Sequence, residues 1–88
     1  MTLHLREDVS LAETGDGGGV LLDQRSGEYW QLNPSGLTTL VRGLAGDDEV
    51  AIARTLVDQD GSTAVDDAVS DVRELVGQLL DAGLVVTA

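Results

Sequence analysis

The chain predicts an α+β domain, a three-stranded antiparallel sheet followed by three helices. Three observations carry that reading. Apolar residues alternate with polar ones in the first segment and short strand-like segments follow up to Leu32, the period becomes that of a helix after Asn33–Pro34, and glycines punctuate the joints. At 88 residues the chain is a single domain over 1–88, and one this small buries only a little over ~60% of its unfolded surface.

Leu3, Leu5, Val9 and Leu11 alternate with polar residues and read as one half-buried strand, broken by a bulge around Glu7–Asp8. "TGDGGG" makes a flexible turn into "VLLDQ", and "RSG" joins that segment to "EYWQLN" as a hairpin. A nest for an anion at "GDGGGV" is set aside, because no Lys-Ser/Thr and no helix start follow it. Asn33 is then a favoured N-cap and Pro34 suits the first helical position, where its missing N–H costs nothing. In the helix that follows, Leu37, Leu40, Val41 and Leu44 form one stripe, with Gly43 and Gly46 marking its end.

A second helix opens at Asp47 or Asp48, buries Val50, Ala53, Leu56 and Val57, and closes at Gly61. A third opens at Thr63, with Asp66 in a capping-box position, and closes at Gly83, leaving "LVVTA" as a short extended tail. On that third helix Val65, Ala68, Val72, Leu75 and Leu79 form the central stripe. Val69, Val76 and Leu80 widen it to an arc of about 140° at ~100° per residue, with Arg73 at its rim. Either both flanks are core or the Val69/Val76/Leu80 flank lines a groove.

Composition excludes several kinds of function. Sixteen acidic residues face five basic ones, all arginine and scattered, for a formal net charge of −11; nucleic acid binding needs a basic stripe that is missing. Without cysteine there is no disulfide, thiolate or zinc-finger chemistry. His4 alone makes no nucleophile–base pair, and it reads as a surface residue of a non-enzyme. "DQDGSTAVDDAV" fails as a calcium loop, since Gly61 stands fourth from Asp58 and the twelfth residue is Val69. No signal peptide, membrane-length apolar run or carrier-protein Asp-Ser-Leu site occurs, so the expectation is a cytoplasmic protein that needs no cofactor and meets no membrane.

The order of elements, "GEYWQLNPSG" at the sheet–helix junction and "VRELVGQLLDAGLV" at the end together resemble the PqqD-like family, the recognition elements of ribosomally made, post-translationally modified peptides (RiPPs). The resemblance covers nearly the whole chain and looks most like the free-standing leader-binding proteins of lasso-peptide pathways. It implies a winged helix-turn-helix-like fold in which a precursor's leader peptide adds as an antiparallel strand to the third strand and packs against the third helix. The implied peptide-binding residues are Glu28, Tyr29, Trp30, Gln31 and Leu32 on the strand, and Val69, Val72, Arg73, Val76 and Leu80 on the helix. The implied partners are the leader peptide, the leader peptidase of the same pathway and its ATP-dependent cyclase.

The binding mode that the resemblance implies draws affinity from main-chain bonds along Glu28–Leu32 and selection from pockets for alternate side chains. With so acidic a chain, shape and strand addition outweigh charge. Trp30 is expected to fill the core beneath the sheet, since the chain has no Phe. Tyr29 falls on the opposite face, as cross-strand cover or as a wall for the leader or the peptidase. Arg73 is placed either for a leader carboxylate or for an acid on its own surface. The competing class is a winged-helix regulator or antitoxin-like interaction module, against whose DNA-binding form stand Asp66, Asp67, Asp71, Glu74 and Asp81 on the third helix.

Overall fold

In a computed structural model, which describes residues 2–61 and 64–87, the chain runs β1 (Leu3–Leu5), β2 (Val9–Glu13), β3 (Gly19–Asp23), β4 (Glu28–Leu32), α1 (Pro34–Leu44), α2 (Glu49–Asp60), α3 (Val65–Asp81) and β5 (Val85–Thr87). The expected three-stranded antiparallel sheet is β2-β3-β4. The expected first strand is in fact two. Arg6, Glu7 and Asp8 are exposed, and a turn closed by the Val9 N–H on the Arg6 carbonyl (3.0 Å) sends the chain from one sheet into another. The C-terminal tail is itself a strand, because β5 pairs antiparallel with β1, Leu5 facing Val85 and Leu3 facing Thr87. Leu3 and Val85, 0% and 1% exposed, anchor that ribbon to the core.

In the main sheet Leu11, Leu21 and Trp30 stand in cross-strand register, as do Ser10, Leu22 and Tyr29 one residue out of phase. Side chains alternate between faces, so Val9, Leu11, Leu21, Trp30 and Leu32 face the helices. Ser10, Ala12, Val20, Leu22, Tyr29 and Gln31 form an outer face that carries no charged residue.

The helix starts follow from their caps. The Asn33 side chain accepts the Gly36 N–H (2.8 Å), with Pro34 at the first helical position. Asp48, not Asp47, caps α2 by accepting the Ala51 N–H (2.8 Å), which leaves Asp47 to meet Arg42 at 2.8 Å. Thr63 lies outside the described residues, and α3 begins after Ala64 with no side-chain cap. Acids in its first turn, Asp66 and Asp67, suit the positive end of the helix dipole. Its other end carries a Schellman motif: the Leu84 N–H bonds the Leu79 carbonyl (3.0 Å), the Gly83 N–H bonds that of Leu80 (3.1 Å), and Gly83 takes φ 73°.

Two helical stripes differ from those expected. Val41 and Val50 are exposed; Thr39 and Ile52 hold the corresponding buried positions, with the Thr39 hydroxyl donating to the Ser35 carbonyl (2.9 Å). Gly43 ends nothing. It lies within α1 where a Cβ would come 2.6 Å from Leu3 Cδ1, and so it lets β1 close onto the helix. Leu3, Leu21, Leu40, Ile52, Val72, Leu79 and Val85 form one core between the two sheets and the helices. Among the described residues no helix is long and apolar enough to cross a membrane.

Candidate functional site

β4 is an edge strand: β3 pairs with one side of it, and among the described residues no strand pairs with the other. An edge presents unpaired N–H and C=O groups at alternate residues. Beside this edge lies a groove of about 490 Å³, bounded by Trp30, Gln31 and Leu32 on β4, by Leu75 and Gln78 on α3, and by the start of α1. It continues past Asn33, Pro34 and Gly36 into a recess of about 620 Å³, where Leu56 and Val57 of α2 face Ala68, Asp71, Val72 and Leu75 of α3.

Local sequence builds the walls. The β2–β3 hairpin tip folds over the end of β4, so closely that a Cβ on Gly18 would come 2.5 Å from the Leu32 carbonyl oxygen. That places Asp16 on the groove. Asp16 accepts from the Thr14 hydroxyl and from the Gly18 N–H (3.0 Å), and these bonds hold its carboxyl below the usual carboxylate range, against a smaller effect of burial. At the other end of β4, Arg25 in the β3–β4 turn is forked onto Asp23 (3.1 Å) and also donates to the Gly83 carbonyl (3.2 Å). The turn is thereby tied to the C-terminal end of α3. The Arg25 guanidinium lowers the Asp23 pKa, chiefly through its side-chain hydrogen bond, and Asp23 raises that of Arg25 in return.

Of the residues selected from sequence, Trp30, Gln31, Leu32 and Val72 line this surface, and Glu28 and Tyr29 lie on the same strand. Val69, Arg73, Val76 and Leu80 do not line it. Val76 is core at 4% exposed, Val69 is half-buried and Leu80 is 37% exposed. Arg73 Nε bonds Glu49 Oε2 at 2.8 Å in the first turn of α2. Trp30 fills the core only in part: it is half-buried, packing on the core from one side and lining the groove from the other, while Leu21 and Leu32 occupy the deep positions. Tyr29 is 74% exposed on the outer face.

Sequence reasoning missed the walls supplied by Asp16, the start of α1, and Leu56 and Val57 of α2, and on the outer part of α3 it missed Leu75, Asp71 and Gln78. At ~100° per residue they lie on one side of Val72 and Val69, Arg73 and Leu80 on the other, and nothing local says which side meets the sheet. The signal available was Leu75 standing beside Gln78 and Asp71, an apolar residue at a polar border, as a groove wall requires.

Sheet, helix order and grooved edge define a winged helix-turn-helix-like α+β module. The chain belongs to the PqqD-like family of RiPP recognition elements: residues 18–85 match the family described as Coenzyme PQQ synthesis protein D (PqqD). It is similar, at 36% identity and TM-score 0.86 over 99% of this chain and 100% of that one, to the structure "Lasso peptide synthetase B1 complexed with the leader peptide". A second structure, "TbiB1 in Complex with the TbiA(beta) Leader Peptide", shares the fold at TM-score 0.80 and 20% identity, over 100% of this chain and 98% of that one. No curated protein sequence matches the chain.

Proposed function

We propose that this chain binds the leader peptide of a ribosomally made precursor, of the lasso-peptide class, by adding it as an antiparallel strand to β4. The observation that carries the reading is the open β4 edge facing α3 across a groove of mixed polar and apolar lining, in a fold shared along its full length with a B1 protein at 36% identity. Main-chain hydrogen bonds to the outward groups of Glu28–Leu32 give affinity with little regard to sequence. Alternate leader side chains pack between Trp30, Leu32 and Leu75, and the recess framed by Leu56, Val57 and Val72 takes an apolar one.

An antiparallel strand fixes polarity. The leader's N-terminal part lies by Asn33 and the recess, and its C-terminal part leaves past Glu28, toward the peptide to be processed. The chain itself makes and breaks no bonds. It works in the cytoplasm and presents the bound leader to the pathway's leader peptidase and cyclase, for which the uncharged outer face around Tyr29 is the free surface beside the exit.

Fluorescence polarisation with the labelled leader of the nearest precursor gene, against a scrambled leader, tests this. Saturable binding of the native leader alone is the expected result; equal binding of both, or of neither, would sink the proposal.

A further inference from the structure

Charge is distributed unevenly about the groove. Among the described residues, its two stretches are lined by apolar residues, neutral polar ones and two charges, Asp16 and Asp71, both negative. None of the five arginines lines it. Three are engaged elsewhere, Arg25 with Asp23, Arg42 with Asp47 and Arg73 with Glu49, and Arg6 and Arg54 are exposed outside it. Asp16 stands at the Leu32 end of β4 and Asp71 on α3 beside the recess, so both border the part of the groove where the N-terminal portion of an antiparallel leader lies. The ionised Asp16 carboxylate is fixed in place by its two hydrogen bonds. A peptide carrying acids into this space meets like charge in a chain of net charge −11, with no cation to receive them.

We infer that the groove is selective for charge: the leader segment bound beside Leu32 carries a Lys or Arg directed at Asp16 or at Asp71, among otherwise apolar inward-facing residues. The inference rests on the leader-binding reading and names what that site accepts. Because side chains of an added strand alternate, the preference falls on every second leader position and not on a continuous stretch. Because both carboxylates are open to solvent, the effect is moderate and falls with salt.

The test replaces each residue of the labelled leader in turn by Lys and by Glu, and measures Kd by fluorescence polarisation at low and at near-physiological salt. Binding is measured to the native protein, Asp71→Asn, Asp16→Asn and Glu7→Gln, the last removing an exposed charge outside the groove. The expected result is a preference for Lys over Glu of at least about fivefold at alternating positions in the N-terminal part of the bound segment. Asp71→Asn or Asp16→Asn should reduce it to about twofold or less, and Glu7→Gln should leave it intact. If the leader binds but Lys and Glu versions bind alike, or if Glu7→Gln erodes the preference as much as Asp71→Asn, charge selection by the groove is overturned while leader binding stands. No binding of any version, with the protein folded by circular dichroism, overturns both. Asp71→Asn decides the matter should Asp16→Asn unsettle the hairpin tip.

Discussion

The two flanks of α3 are built from similar residues and face different surroundings. On one side Val69 is half-buried and Arg73 is bonded to Glu49 at the start of α2, an exposed ion pair between the two helices. On the other side Leu75 is also half-buried, yet beyond it lies an open groove and then the unpaired edge of β4. The centre of this helix's wide apolar arc, Ala68, Val72, Val76 and Leu79, is core, and its Leu75 side borders the groove. Apolar character alone does not mark a binding surface. What marks it is an apolar wall opposite backbone groups that have no partner.

The largest effect that bears on this contrast comes from the centre of the arc. Val76→Asp puts a carboxylate at a 4% exposed core position and should destabilise the fold by about 3–5 kcal/mol, much of the stability of a domain this size. Loss of the cooperative thermal transition is the expected readout, and binding disappears with it.

Leu75→Asp against Leu80→Asp separates the flanks. Both side chains are partly exposed, so both variants should remain folded by circular dichroism. The first should weaken leader binding at least about tenfold, by setting a charge in the wall proposed to pack against the leader; the second should leave it within about twofold. Comparable losses in the two variants would erase the distinction drawn here.

Arg73→Ala should change stability by less than about 0.5 kcal/mol in chemical denaturation and leave leader binding unchanged, since its pair with Glu49 is exposed. The smallest effect concerns pH. Asp16 and Asp23 have pKa values lowered in the folded state by their hydrogen bonds. Their contribution to stability is therefore complete above the unfolded carboxylate pKa of about 4 and is lost as the pH falls through the lowered values. Melting temperatures measured from pH 6 down to pH 2 should fall less steeply for Asp23→Asn than for the native chain.

Much of this architecture was legible because local chemistry decides it. Asn33–Pro34 fixes the start of α1, Gly61 and Gly83 fix two helix ends, and the alternation of Glu28–Leu32 fixes which of its rings faces out. What was not legible depends on partners distant in sequence. The N-terminal segment reads as one strand, and only the pairing of β1 with β5, at the far end of the chain, shows that it is two. Ile52 is wholly buried and Val50 exposed because of how α2 is rotated against α3, which its weak periodicity does not specify. Trp30 is expected to fill the core, but the sheet ends at β4, so the half-buried residue also lines the groove. Among the described residues no fourth strand joins this sheet, which leaves the groove open, and no single segment of sequence announces it.

The main sheet has two edges, β2 and β4, and that supplies an internal control for the central claim that the leader completes the sheet at β4. Amide hydrogen exchange, read residue by residue by NMR with and without the leader, addresses it most directly. The account predicts slowed exchange at alternate amides within Glu28–Leu32 on leader binding, with those of Val9–Glu13 unchanged. Protection along β2, or binding that leaves the β4 amides exchanging as before, would contradict it.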